Sequence, residues 1–223
     1  MERVKVAVLG AGGLVAQRLQ QRLVNHPWFE LAAVAGSPRF HHQHLRDVPW
    51  VLEEHRPSMP DLTVLDVASE DTVSELVNMG VVIAFSSLPQ TQAAKLEPLW
   101  VNGGITVFSN ASAFRMNHGV PLVIPEVNPE ALEENGPTLR HACATNCTLL
   151  PLILPLTALH EAYGLTSYTM RSEQGLSGGG YGYMQAALEE GTVDPNIPGE
   201  AEKTEAEFRK ILQWGGAASL NCQ

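Results

Sequence analysis

Hydrophobic positions along this chain alternate between two patterns. Short, nearly continuous apolar runs at residues 4–9, 31–35, 62–65, 81–85 and 105–108 are the signature of strands buried on both faces. Between them lie longer segments in which apolar residues recur every three to four positions. Residues 14–24 place Leu14, Val15, Leu19 and Leu23 on one face, and residues 69–78 and 90–101 are similarly helix-like. This strand–helix alternation predicts an α/β fold, a Rossmann-like doubly wound parallel sheet. Such sheets bind ligands at the carboxyl ends of their strands. Ser86-Ser87-Leu88-Pro89 and the stretch from Ser109 to Arg115 occupy those ends.

After residue 120 the pattern changes. A loop and a short helix lead to a strand-like stretch at 139–144, and the apolar run 149–156 reads as helix. Residues 163–171 look strand-like, a glycine-rich segment and a further helix follow, and 192–198 is a loop with two prolines. Residues 200–212 form a charged helical pattern, and the stretch after Gly215 has the apolar content of another strand. We divide the chain into a nucleotide-binding domain, residues 1–145, and a second domain, residues 146–223.

Composition narrows the function classes. With 223 residues, 44% hydrophobic and 17% charged, the sequence is that of an ordinary globular protein. Its net charge of −10, without basic runs, argues against nucleic acid or an anionic membrane as partner. No apolar run approaches the roughly 20 residues of a membrane span, and the first residues lack a signal-peptide layout. Three cysteines, an odd number, point to thiols in a reducing, cytoplasmic setting. Cys143 and Cys222 read as packing residues. The run His41-His42-Gln43-His44 has no carboxylate or cysteine at ligand spacing, so no metal site is expected.

The candidate chemistry lies in six places. Gly10-Ala11-Gly12-Gly13 stands between a strand and a helix, where a dinucleotide fingerprint belongs. The strict pattern would put its third glycine at Val15, and a shifted version with Ala16 fits better; a simple tight turn is the other reading. Ser37 and Arg39, after the second strand, suit a 2′-phosphate and favour NADP, where NAD calls for an acidic residue. Arg115 follows small polar residues and is a fork for phosphate or carboxylate, or else a surface arginine. Cys147 follows Asn146, a helix-capping type, at a strand-to-helix junction. The N–H groups and positive potential of a helix start suit an anionic nucleophile; a buried structural cysteine is the alternative. Four glycines between Gly178 and Gly182 mark either a close backbone approach or a linker. Glu200 and Lys203 stand one turn apart on one face of the last helix.

Taken together and in order, these stretches resemble aspartate-β-semialdehyde dehydrogenases of the archaeal and fungal branch. The matching motifs are Gly10-Ala-Gly-Gly-Leu-Val15, Phe85-Ser-Ser-Leu-Pro89, Ser109-Asn-Ala-Ser-Ala-Phe-Arg-Met116, Val120-Pro-Leu-Val-Ile-Pro-Glu-Val-Asn128, Asn146-Cys-Thr148, Gln174-Gly-Leu-Ser-Gly-Gly-Gly180 and Glu200-Ala-Glu-Lys203 with Lys210-Ile-Leu212. The resemblance implies NADP-dependent reduction of β-aspartyl phosphate to aspartate semialdehyde and phosphate, a step of amino-acid biosynthesis. It implies Cys147 as nucleophile and Gln174 as the residue orienting substrate beside it. Asn146, Arg115, Glu200 and Lys203 would bind substrate. Gly10, Gly12, Gly13, Leu14, Val15, Ser37, Arg39, Ser86, Ser87, Ser177 and Gly178 would bind NADP. The second domain would be the α+β catalytic and dimerisation domain, and the full-length family forms homo-oligomers.

Departures from the pattern are Gly12, in place of a usual Thr or Ser, Ala16 in place of a glycine, and Glu173 beside the proposed chemistry. The family pattern continues past Asn221-Cys222 to an arginine that binds the substrate carboxylate and a histidine that acts as acid and base. Neither is in this sequence, so the second domain is expected to be incomplete, with apolar surface open, and the chain to turn over very slowly or not at all. An acyl-CoA reductase of the malonyl-CoA type and a non-catalytic NADP-binding module are the alternatives.

Overall fold

The computed structural model describes residues 2–133, 136–194 and 197–223. Contacts divide the chain into two compact units, Met1–Phe114 with Thr138–Ala142, and Arg115–Pro137 with Cys143–Gln223. Residues 115–137 thus group with the second unit, whereas the sequence division was drawn at 145.

The first unit is built on a sheet of six strands, β1 (Val4–Leu9), β2 (Phe29–Gly36), β3 (Val64–Asp66), β4 (Ile83–Ser86), β5 (Thr106–Ser109) and β6 (His141–Cys143), in the order β3-β2-β1-β4-β5-β6. The pairs from β3 through to β5 are parallel. Helices α1 (Leu14–Leu23), α2 (Glu70–Asn78) and α3 (Gln90–Asn102) alternate with the strands. The expected doubly wound parallel sheet is therefore present. Its two faces each carry an apolar layer, because successive strand residues point to opposite sides. Val6 and Val8 pack with Ala16, Leu23 and Leu45, whereas Ala7 and Leu9 pack with Val73, Leu76 and Trp100. Ser69 caps α2, its Oγ accepting the Thr72 N–H at 3.2 Å. The third strand was expected at 62–65. It begins at Val64, because Thr63 instead makes an isolated antiparallel bridge to His44.

The second unit holds the short helix α4 (Glu130–Glu133), then α5 (Leu149–Tyr163), α6 (Tyr181–Glu190) and α7 (Glu200–Leu212), with strands β7 (Ser167–Ser172) and β8 (Ala217–Cys222) paired in parallel. The strand expected at 163–171 starts later, because α5 runs through Tyr163 and ends at Gly164, whose φ of +74° suits glycine. The loop expected over 192–198 includes Pro195 and Asn196, which lie outside the described residues. The core of this unit is aromatic. Phe208 of α7, fully buried, lies 4.8 Å from the Tyr168 ring and 5.3 Å from that of Trp214. The Trp214 indole N–H donates to the Leu165 carbonyl at 2.8 Å. On α5, Leu149 and Ile153 are fully buried while Leu150, Leu154 and Leu159 are exposed.

Candidate active site

In the first unit, Gly10, Gly12, Gly13, Leu14, Val15, Ser86 and Ser87 gather where β1 and β4 end, on either side of the point at which the strand order reverses. The chain leaves β1 through Gly10 at φ +108°, a conformation L side chains rarely adopt. A Cβ there would stand 3.1 Å from Ser87 Oγ. Ser87 is fastened to the same strand end, its N–H and hydroxyl donating to the Leu9 carbonyl at 3.0 and 3.1 Å. Gly13 donates to the Gly10 carbonyl at 2.9 Å, and α1 begins with no side-chain cap at Gly13. The first-turn N–H groups of a helix have no acceptor within it and favour an anion. A glycine cradle ending in such a helix start fits the pyrophosphate of a dinucleotide.

Ser37 and Arg39 follow β2 and are exposed. The Arg39 guanidinium lies over the Phe40 ring, 5.1 Å from its centroid. That ring explains the departure at Gly12, since a Cβ there would stand 2.5 Å from it. Ser86 is buried, and among the described residues its hydroxyl has no hydrogen-bond partner. Of the serine pair, only Ser87 reaches the surface in part. A residue the sequence did not reveal, Gln20, is buried on α1 and donates to the Ala11 carbonyl at 2.9 Å, pinning the glycine loop to its own helix.

In the second unit, Cys147 is exposed, whereas Cys143 and Cys222 are buried. The buried-cysteine alternative for Cys147 is thereby removed. Asn146 is the capping residue its type suggested, its Oδ1 accepting the Leu149 N–H at 2.7 Å at the start of α5. Cys147 and Thr148 form the turn leading into the helix. Gln174, after β7, donates from Nε2 to Cys147 Sγ at 3.5 Å. Its own N–H is held by the Gln223 carbonyl at 2.6 Å. Gly178 makes this approach possible, because a Cβ at that position would overlap the Gln174 amide. Ser177 and Gly178 are exposed in the turn Leu176–Gly179.

Arg115 is 7% exposed and not a surface arginine. Its Nη1 donates to Glu207 Oε1 at 2.9 Å. The other oxygen of the same carboxylate, Oε2, accepts the main-chain N–H of Asn146 at 2.8 Å. Glu207 was not foreseen. It lies on the buried face of α7 with Glu200 and Thr204. The Thr204 hydroxyl receives the Asn146 side-chain amide at 3.3 Å, and Glu200 Oε1 receives the Thr148 hydroxyl at 2.9 Å. One face of α7 thus meets the residues on both sides of Cys147. Lys203 and Glu200 do not share that face: Glu200 is buried against Thr148 and Lys203 is exposed. Glu173 is exposed and ion-pairs with Arg171 at 3.4 Å. Lys210, one turn beyond Glu207, donates to the carbonyls of Arg115, Asn117 and Val120 at 2.5, 2.9 and 3.2 Å. Burial pushes its pKa down, against the pull of nearby Cys143 and Glu207.

Among the described residues, no group of three or more His, Cys, Asp or Glu could hold a metal ion, and no helix is long and apolar enough to cross a membrane.

Residues 5–135 match the family model for the semialdehyde dehydrogenase NAD-binding domain. The chain is similar to the aspartate-semialdehyde dehydrogenase of Archaeoglobus fulgidus, 36% identical over 219 residues that cover 94% of this chain and 62% of the relative. With that of Methanothermobacter thermautotrophicus it is 37% identical, covering 94% and 61%. The chain therefore spans about 60% of the length of these relatives. Among solved structures, the aspartate semialdehyde dehydrogenase of Candida albicans with NADP superposes with a TM-score of 0.83 at 29% identity, over 99% of this chain and 67% of that one. The enzyme from Vibrio cholerae, at 22% identity and a TM-score of 0.79, has the same fold.

Proposed function

The chain belongs to the semialdehyde dehydrogenase family, and on that premise we propose that it carries the nucleophile and anion-binding part of an NADP-dependent aspartate-semialdehyde dehydrogenase. The reaction assigned is the reductive dephosphorylation of β-aspartyl phosphate in amino-acid biosynthesis. The observation that carries the reading is the arrangement around Cys147: an exposed thiol at a helix start, Gln174 at 3.5 Å, and the Arg115–Glu207 pair tied to the preceding residue.

Cys147 Sγ attacks the acyl carbon of the aspartyl phosphate, the C–O bond to phosphate breaks, and a thioester remains on the sulfur. Arg115 and exposed Lys203 receive the phosphate and Glu200 the substrate amino group, as the resemblance implies. Gln174 orients the acyl group, and main-chain N–H groups at the start of α5 stabilise its oxyanion. The NADPH nicotinamide, when bound, supplies the hydride that takes the thioester to the aldehyde. Gly10, Gly12 and Gly13 with the start of α1 would hold its pyrophosphate, with Ser37 and Arg39 at the 2′-phosphate. Three cysteines without an expected disulfide suit a cytoplasmic protein, and the family resemblance implies a homo-oligomer.

The test is alkylation of Cys147 by iodoacetamide, followed by mass spectrometry. Inorganic phosphate should protect the thiol in a saturable manner, and desulfo-coenzyme A, which has no thiol to consume the reagent, should not at the same concentration. Protection by desulfo-coenzyme A alone would move the reading to an acyl-CoA reductase. No protection by either, with NADPH still bound, would leave a nucleotide-binding module.

A further inference from the structure

Residues of α7 approach the thiol site in a way that the assigned substrate contacts do not use. Glu207 is 2% exposed and spends its two oxygens on two different loops. One takes the Arg115 guanidinium and the other the main-chain N–H of Asn146, the residue before Cys147. A single carboxylate therefore stands between the cation assigned to phosphate and the turn bearing the nucleophile. Around it the contacts are mutually reinforcing. Lys210, three residues on, holds the main chain at Arg115, Asn117 and Val120, and Thr204, three residues back, receives the Asn146 amide. An arginine whose only task was to bind an anion would be expected to keep its fork open. Here one arm is committed to a buried carboxylate that also fixes the nucleophile turn.

We propose that Glu207 is a positioning residue, which sets the distance between the phosphate-binding guanidinium of Arg115 and the Cys147 turn by bridging the two through one carboxylate. The inference rests on the reading of Arg115 and Cys147 as parts of one phosphate-expelling site, and it assigns Glu207 no contact with the substrate. Phosphate then meets a guanidinium already fixed in register with the thiol, so that little reorganisation accompanies the attack. In Glu207→Gln, the amide has one acceptor oxygen and one N–H₂ group. It cannot accept from both Arg115 and Asn146, so one of the two loops is released.

Charge and position make opposite predictions, and that separates the roles. If Glu207 only counterbalances Arg115, removing its charge leaves Arg115 more attractive to an anion, and phosphate protection of Cys147 tightens. If Glu207 positions Arg115, protection weakens. We expect Glu207→Gln to raise the phosphate concentration for half-protection roughly tenfold or more. Glu207→Asp, which keeps both acceptors on a shorter arm, should recover part of that loss. Near-ultraviolet circular dichroism of the aromatic core reports whether each variant is folded. Should the glutamine variant not fold, the aspartate variant carries the comparison, with an intermediate loss expected. Unchanged or tighter protection in a folded variant overturns the inference while leaving the site reading intact. Absence of phosphate protection in the unaltered chain overturns both.

Discussion

Gly178 shows how a residue without a side chain can set a functional contact. The glycine run was read as a close approach or a linker, and the structure supplies the approach: Gly178 backs onto the Gln174 amide, which donates to Cys147 Sγ. In Gly178→Ala the new methyl group displaces the flexible end of Gln174 and no backbone has to move, so folding should be nearly unaffected. The sulfur loses the amide donor. A hydrogen bond of this kind is worth about 0.5–1.5 kcal/mol, and alkylation of Cys147 at neutral pH should slow roughly two- to tenfold, with the melting temperature unchanged within a few degrees. An unchanged rate would show that Gln174 does not act on the thiol. The capping by Asn146, set by residue type at a strand-to-helix junction, was legible in the sequence. Gln20 and Glu207 were not, because each is defined by a main-chain group that only the folded chain brings to it.

At the level of the element, α7 is the most instructive. Its span was legible from the charged helical pattern at 200–212, whereas its buried face was not, and Glu200 and Lys203, expected on one face, are divided between the buried and the exposed side. Glu200, Thr204, Glu207, Phe208 and Ile211 lie on that face at helical spacing. A binary reading turns glutamates outward and follows only Phe208 and Ile211. The sequence does hold a hint, since Glu200-x-x-Lys203 recurs seven residues later as Glu207-x-x-Lys210. Resemblance called attention to the first pair, while the second pair makes the structural contacts to Arg115 and its loop. The apolar half of α7 is anchored by Phe208 between Tyr168 and Trp214. Phe208→Ala should destabilise the second unit by about 3–5 kcal/mol, read in urea unfolding followed by Trp214 fluorescence. A loss under about 1 kcal/mol would mean that this aromatic cluster closes around the vacancy.

At the scale of the whole molecule, the doubly wound parallel sheet was foreseeable because strand–helix alternation, right-handed crossovers and buried apolar strands leave few topologies. The polar group sealed inside it was not. Glu97 of α3 is fully buried, with Ser109 Oγ at 2.6 Å and His141 Nε2 of β6 at 3.0 Å. Nothing in the spacing of residues 97, 109 and 141 announces that they meet; the sheet brings them together. Burial alone would raise the Glu97 pKa, but hydrogen bonds from His141 and Ser109, with the charge of His141, outweigh it and hold the carboxyl below its ordinary value of 4.5. A carboxyl whose folded pKa is depressed contributes stability above its unfolded pKa, and that contribution is lost as pH falls through the folded one. The chain as a whole should therefore weaken in acid below about pH 4.5 in part through this group. Glu97→Gln removes the buried charge and leaves His141 without its carboxylate, a loss of about 3 kcal/mol at pH 7. The gap between the unaltered chain and this variant, measured by urea unfolding, should then narrow as pH is lowered from 7 through the ordinary carboxyl value of 4.5 and on toward the depressed folded pKa of Glu97. A gap that stays constant across that range would show that the Glu97–His141 pair contributes through packing alone and that its charge does not set the acid limit of the fold.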